Sequence, residues 1–347
     1  MGIQNCITEP CDLLDEKGCL THPGYATLPL WRYDRNKIKA ARHRIKEWDY
    51  YYVVAPEQGF GITFTIADLG YIGMAAVCWL DFRNKTSCQV DTLSFFPMGR
   101  LNLPSASDSG RTRFENKRLS MDFEVNNGDR HLMFETHGFN DDKSPRRLKG
   151  DILLSPARDA DSMVIATSWK ENPKAFYYNH KINCMAAKGV VTMGDTRYEF
   201  KPGEAFGGLD WGRGYWTYKN RWYWGSASGM LDKESFGWNI GYGFSDRTPA
   251  SENMVFYKGV AHKLADIFFE MDDQDYMKPW KISSSDHRFE MDFIPLLDRH
   301  SSFDLKLIKS IQHQVFGHFT GKVTLDNGTI LPVKDFFGFA EDVLNWW

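Results

Sequence analysis

Again and again this chain sets a tight-turn pair between two runs that alternate apolar and polar residues, a pattern that few folds can use. In "SMDFEVNNGDRHLMFET" (120–136), Asn127-Gly128 separates two alternating runs. This is the strongest short-range hairpin signal, because both central residues of such a turn adopt positive φ. "GKVTLDNGTILPV" (321–333) repeats it at Asn327-Gly328, and "KGVVTMGDTRYEF" (188–200) turns at Met193-Gly194-Asp195. "FGITFTIADLGYIGMAAVCWLDF" (60–82) alternates, breaks at Asp68-Leu69-Gly70 and resumes, and "MVIATSW" (163–169) is a further strand. Consecutive hairpins predict an all-β protein of antiparallel sheets, as up-and-down barrels or sandwiches. Helix is expected in two places only: a short one in the final "FAEDVLNWW", and part of "YDRNKIKAARHRIKEW" (33–48).

At 347 residues the chain suits two domains or one large one. The turn-rich "EFKPGEAFGGLD" (199–210) predicts a junction, giving an extension over 1–45, a domain over 46–200 and a second over 201–347. With 42 basic against 45 acidic residues the net charge of −3 offers no field to attract nucleic acid. No apolar run approaches a membrane span, and "MGIQNCITEPCDLLDEKGC" lacks the pattern of a secretory signal, so a cytoplasmic location is expected. In that setting Cys6, Cys11, Cys19, Cys78, Cys88 and Cys184 are expected as reduced thiols. No cofactor or metal is expected: Cys6, Cys11 and Cys19 lack ligand spacing, and His313, His318 and Glu341 fit no known site.

The unusual stretch is "GGLDWGRGYWTYKNRWYWGSASG" (207–229), with four Trp and three Tyr among glycines. "RWYWGSASGM" (221–230) predicts a strand with Trp222, Trp224, Ser226 and Ser228 on one face. After a turn at "DKES", "SFGWNIGYGF" (235–244) returns with Trp238 and Tyr242 on one face and Asn239 on the other. Single aromatics in strands pack cores. A cluster of indoles, each N–H needing an acceptor, fits a pocket with a polar rim. Glycines repeated on one strand face point to a bend or to close approach of a ligand. Asp210, between Leu209 and Trp211, is a candidate general acid if apolar surroundings hold its proton. Arg213 offers the opposite reading, a structural ion pair with Asp210, and both stand open. Trp211, Tyr215, Trp216, Trp222, Trp224, Trp238, Asn239 and Tyr242 are candidate walls. Asn179 and Lys181 in "YYNHKIN", and His262 in "GVAHKL", are the further polar candidates, each weighed against an ordinary solvated role. Glu252 and Asn253 are expected in a turn.

"LDWGRGYW" followed by "WYWGSASG", with "FYYNHKINCMAAKG" before and "SENMVFYKGVAHKL" after, resembles the domain-of-unknown-function 2804 family. The opening "EPCDLLDEKGCLTHPGYATLPLWRYDR" and the closing "GFAEDVLNWW" extend the resemblance over nearly the whole chain. More distantly the Asp-Trp-Gly element is similar to carotenoid 1,2-hydratases and their relatives, the tocopherol cyclases and lipocalin-like Diels–Alderases. That resemblance implies two lipocalin-like β-barrel halves around an aromatic cavity. It also implies an Asp that protonates an alkene, matched here by Asp210, while Arg213 and its flanking glycines do not match. The expectation is a hydratase, lyase or isomerase without cofactor, acting on a C=C bond of an apolar, terpenoid- or polyene-like molecule. A non-catalytic binding protein for such a molecule and a carbohydrate-active enzyme are the alternatives. The last would need a second carboxylate, and none stands near Asp210 in sequence.

Overall fold

The computed structural model describes residues 4–141, 144–304, 306 and 308–347. Three short strands come first: β1 (Cys11–Asp12), β2 (Gly24–Ala26) and β3 (Trp31–Arg32). Then follow β4 (Ile45–Ala55), β5 (Phe60–Asp68), β6 (Ile72–Asp81), β7 (Thr86–Phe95), β8 (Gly110–Glu115), β9 (Leu119–Asn126) and β10 (Asp129–Asp141). The middle of the chain supplies β11 (Ser144–Ser155), β12 (Met163–Trp169), β13 (Asn172–Met193), β14 (Thr196–Phe200) and β15 (Phe206–Tyr215). The remainder is β16 (Lys219–Leu231), β17 (Glu234–Tyr242), β18 (Met254–Tyr257), β19 (Val260–Lys263), β20 (Ile267–Glu270), β21 (Trp280–Ser284), β22 (Phe289–Asp304), β23 (Lys309–Thr324) and β24 (Ile330–Trp346).

Apart from β1 and β3, which pair in parallel, these strands form two large antiparallel sheets. The first runs β7-β6-β5-β4-β15-β13-β11-β10-β9-β8, and the second β19-β18-β17-β16-β24-β23-β22-β21-β20. Each curls on itself. In the first, β7 at one end approaches β9 and β10 near the other; in the second, β17 approaches β20. The result is two packed lipocalin-like halves.

The hairpins fall where the turn chemistry puts them. Asn127 and Gly128 take φ of 52° and 87° between β9 and β10, and Asp232 and Lys233 both take positive φ between β16 and β17. The expected helices do not form. "FAEDVLNWW" is the end of β24, a central strand bonded to β16 on one side and β23 on the other, and that pairing overrides local preference. Near residue 33 there are only 3-10 turns, at Arg35–Lys37 and Arg42–Arg44, before Ile45 enters β4. The sheets do not change at the turn-rich 199–210 stretch: β15 lies inside the first sheet between β4 and β13, and the chain crosses between Tyr215 and Lys219. Among the described residues no helix is long and apolar enough to cross a membrane.

Each sheet wraps its own core. Phe64, Phe123, Tyr178 and Trp211 lie in the first, and Trp238, Trp280, Phe289 and Phe319 in the second. A third apolar cluster joins the outer faces of the two. Tyr50, Tyr52, Cys78, Leu80 and Phe82 of the first sheet meet Trp224, Leu297, Phe316, Phe337 and Phe339 of the second. The candidate site lies in this joint.

Candidate active site

Strand β15 stays regular through its glycines, so its residues alternate between the first sheet's core and the joint. Arg213 points into the core. Its guanidinium donates to Asp49 Oδ1 at 3.1 Å and to Pro104 O at 2.8 Å, and lies 3.9 Å over the Trp211 ring. Asp210 points into the joint, so the Asp210–Arg213 pair does not exist: positions three apart on a strand face opposite sides. Asp210 is held instead by register neighbours. Lys181, its partner on β13, donates from Nζ to Oδ2 at 3.0 Å. Asn179 Nδ2 and Trp48 Nε1 donate to Oδ1 at 2.5 and 3.1 Å.

The glycines of β15 explain the geometry. A Cβ on Gly212 would stand 1.8 Å from the Trp48 ring, and one on Gly208 would stand 2.4 Å from the Tyr52 ring. Bare backbone at these two positions lets the β4 aromatics lie flat across β15, and Trp48 thereby reaches Asp210. The groups that approach this bare backbone are the protein's own Trp48 and Tyr52 rings.

Two further carboxyls close on Asp210 from the second sheet and its loops. Glu252 Oε2 lies 3.7 Å from Lys181 Nζ, so one ammonium serves two acids. That ammonium also sits 3.8 Å over the Trp224 ring, while Trp224 Nε1 donates to Asn239 Oδ1 at 2.6 Å. Asn239 in turn donates to the Glu252 backbone carbonyl at 2.8 Å. Glu341, register partner of Trp224, accepts from Trp222 Nε1 and from Gln314 Nε2, each at 3.2 Å. Tyr50 and Gln314 bond one another beside it.

Burial disfavours charge here, and the acids respond. Glu341 is pushed up to about 7, chiefly by burial, with Asp210 adding to the rise and Lys181, the Trp222 bond and the Arg299 guanidinium opposing it. Glu252 is likewise raised by burial and by Asp210, against the pull of Lys181. The Tyr177 hydroxyl is held well above its ordinary value by burial and by Glu252, Asp210 and Glu341 together. Three carboxyls therefore surround one close ammonium, and the one without an ion pair, Glu341, holds a proton near neutrality.

Aromatic rings wall this cluster. Trp48 stacks on Tyr177 with an interplanar angle of 12°, and Trp216 meets Trp48 edge-on at 5.1 Å. Phe244 packs on Tyr177, Trp216 and Trp222 and, on its other side, on Trp169. Beyond Phe244 opens a polar surface pocket of about 670 Å³ lined by Trp169, Glu171, Lys219, Arg221, Asp246 and Arg247, among others. Within the wall, Asn179 Oδ1 and Trp216 Nε1 are buried without hydrogen-bond partners.

Of the residues singled out from sequence, Asp210, Asn179, Lys181, Trp216, Trp222, Trp224 and Asn239 come together here. Trp211 and Tyr215 lie in the first sheet's core. Trp238 is enclosed in the second sheet's core, and Tyr242 packs on Tyr223 and Phe269 at its edge, both on the opposite face from Trp224. His262 lies against Asp326, away from the cluster. His313 bonds Asp298 and His318 the carbonyl of Asp335, so neither joins Glu341. No group of metal-ligating side chains occurs among the described residues, and Cys6, Cys11, Cys19, Cys78 and Cys184 are free thiols. Sequence reasoning named Glu252 only as a turn residue and Glu341 only as a dismissed metal ligand, and missed Trp48 and Tyr177. The available signal was alternation: read as a strand, "FAEDV" sets Glu341 on the same face as Phe339 and Val343.

A family model described as "Domain of unknown function (DUF2804)" matches residues 4–347. No protein of curated function matches in sequence. Among solved structures the fold is similar to CghA, with TM-score 0.56, 12% identity, and coverage of 96% of this chain and 97% of that one. It is similar to an AttH candidate from Nitrosomonas europaea at TM-score 0.54 and 10% identity, covering 91% and 98%. Kievitone hydratase from Nectria haematococca is similar at TM-score 0.50 and 11% identity, covering 87% and 88%. At such identities the likeness is one of fold.

Proposed function

The chain belongs to the domain-of-unknown-function 2804 family, and from that premise we propose that it is a hydratase, lyase or isomerase acting on a C=C bond of an apolar small molecule. One observation carries the reading: a carboxyl with no ion pair, Glu341, is raised to about 7 inside an indole-walled joint beside an Asp–Lys–Glu cluster. Protonating an unactivated alkene needs an acid kept neutral where water is excluded. Glu341 fills that role better than Asp210, which is engaged by Lys181 at 3.0 Å. The Glu341 proton goes to one alkene carbon, and the π electrons form the new C–H bond. The cation left on the other carbon faces indole and carboxylate rather than a stronger nucleophile. In hydration, water bonds to that carbon and yields a proton to Asp210 or Glu252, which Lys181 holds in place. In isomerisation, a neighbouring C–H loses its proton to the same carboxylates. Entry from the pocket beyond Phe244 requires that ring to swing off Tyr177 and Trp216, and the fold shared with kievitone hydratase supports hydration as the reaction class.

The test is turnover of a terpenoid and polyene panel in heavy-oxygen water, with wild type, Glu341→Gln and Asp210→Asn. Loss of a general acid lowers turnover by roughly 10²–10⁴-fold. Glu341→Gln should show that loss while ligand still quenches tryptophan fluorescence. If wild type converts nothing and all three proteins bind alike, the protein is a binding protein for apolar molecules. Glu252 and Glu341 also supply the second acid that glycoside chemistry needs. Turnover of a glycoside panel that Glu341→Gln abolishes would replace the alkene reading.

A further inference from the structure

Behind Glu252, on the side away from the acid cluster, the segment 251–253 meets the end of β19 and the N-terminal stretch. Ser251 and Asn253 are fully buried there. Lys263 Nζ lies 2.9 Å from Ser251 Oγ, 2.9 Å from Asn253 O and 3.5 Å from Leu264 O. As an ammonium it donates to all three. Without one proton it keeps both carbonyls and turns its lone pair to the Ser251 hydroxyl, the arrangement of a base poised on a nucleophile. Burial brings Lys263 down to about 7, against the opposing pull of Glu252, Asp266 and Asp286, and the Tyr25 ring covers it at 5.2 Å.

A carboxamide already occupies the place where an acyl group would sit. Gln4 Oε1 accepts from the Ser251 backbone N–H at 2.8 Å and lies 3.2 Å from Ser251 Oγ. Gln4 Nε2 donates to Leu264 O at 3.2 Å, the same carbonyl that Lys263 approaches. The carbonyl oxygen thus rests on the nucleophile's own N–H, as an oxyanion would, and the amide nitrogen shares the Leu264 carbonyl with the base. The N-terminal stretch is tied down by Asn5 N–H on Pro249 O and Tyr25 N–H on Asn5 O.

We propose that Ser251 and Lys263 form a second reactive site, a nucleophile–base pair for acyl transfer from a primary carboxamide or small activated acyl donor, plugged by the side chain of Gln4. Ser251 Oγ bonds to the carbonyl carbon as its proton passes to Lys263, and the oxyanion rests on the Ser251 N–H. Collapse breaks the C–N bond, Lys263 returns the proton to the departing nitrogen, and ammonia leaves an acyl ester on Ser251. Water, deprotonated by Lys263, then cleaves the ester to a carboxylic acid. The site is separate from the alkene reading and stands or falls without it.

Phenylmethanesulfonyl fluoride, which a nucleophilic serine displaces at sulfur with loss of fluoride, is the probe. Wild type, Gln4→Ala, Gln4→Ser, Gln4→Ala/Ser251→Ala and Gln4→Ala/Lys263→Met are compared by intact mass and peptide mapping, with thermal unfolding as the check on folding. Both single variants should gain one adduct on Ser251 at least about tenfold faster than wild type, and the double variants should lose it, Lys263→Met by roughly 10²-fold. Within Gln4→Ala itself the labelling rate should rise with pH around 7, as Lys263 gives up its proton. Folded Gln4→Ala and Gln4→Ser that take no adduct on Ser251, or labelling that ignores both Lys263 and pH, would overturn the proposal.

Discussion

Replacing Glu341 by Gln should change how the protein's stability depends on pH. A carboxyl raised by burial stabilises the fold while protonated. Its contribution is complete below the unfolded value and is lost as pH climbs through the folded one. For Glu341 those limits are 4.5 and about 7. The interval corresponds to about 3 kcal/mol at ~1.36 kcal/mol for each tenfold change in proton affinity. Glutamine is neutral throughout and escapes this loss. It gives up one acceptor to Trp222 or Gln314, at a cost that is the same at every pH. The difference in stability between variant and wild type should therefore move by about 3 kcal/mol in the variant's favour between about pH 4 and pH 8. With an unfolding entropy of about 0.7 kcal/mol/K for 347 residues, that is ~4 °C in the difference of the two Tm values. Differential scanning fluorimetry across the range reads it. A difference that stays constant with pH would mean Glu341 ionises at its ordinary value, and the argument for a stored proton would fail.

Lys181→Met strands Asp210 and Glu252 without their shared ammonium, and should cost about 3–5 kcal/mol at neutral pH by chemical denaturation. That deficit should shrink on acidification as Glu252, raised by burial, takes up its proton; a deficit independent of pH would show that the ammonium does not hold it. Gly212→Ala drives a methyl into the Trp48 ring 1.8 Å away and should cost about 1–3 kcal/mol while disturbing the Trp48 bond to Asp210. Unchanged stability and tryptophan fluorescence would refute the close packing of that ring.

Most of the fold could be read from local chemistry. Asn127-Gly128 fixes a hairpin because those two residues tolerate positive φ. Alternation puts Trp222 and Trp224 on one face, but within single strands it leaves Trp238 grouped with them as a wall although it faces the second sheet's core. The C-terminal strand escaped notice because "AEDVLN" is short, polar at intervals and strand-like only once β16 and β23 flank it. The site was harder, since its parts meet through register rather than proximity in sequence. Arg213, three residues from Asp210, faces away, whereas Lys181, 29 residues earlier, lies directly beside it. Glu252 comes from a loop and Glu341 from the last strand, and only the packing of the two sheets brings them to Asp210. The burial that raises Glu341 is likewise a property of that joint and of no local segment.

The proton on Glu341 is observable by infrared spectroscopy. The difference spectrum between wild type and Glu341→Gln should contain the carbonyl band of a protonated carboxyl at about pH 6, giving way to carboxylate bands with a midpoint near 7. A difference spectrum showing only carboxylate throughout, with its midpoint at the ordinary value of 4.5, would contradict the account.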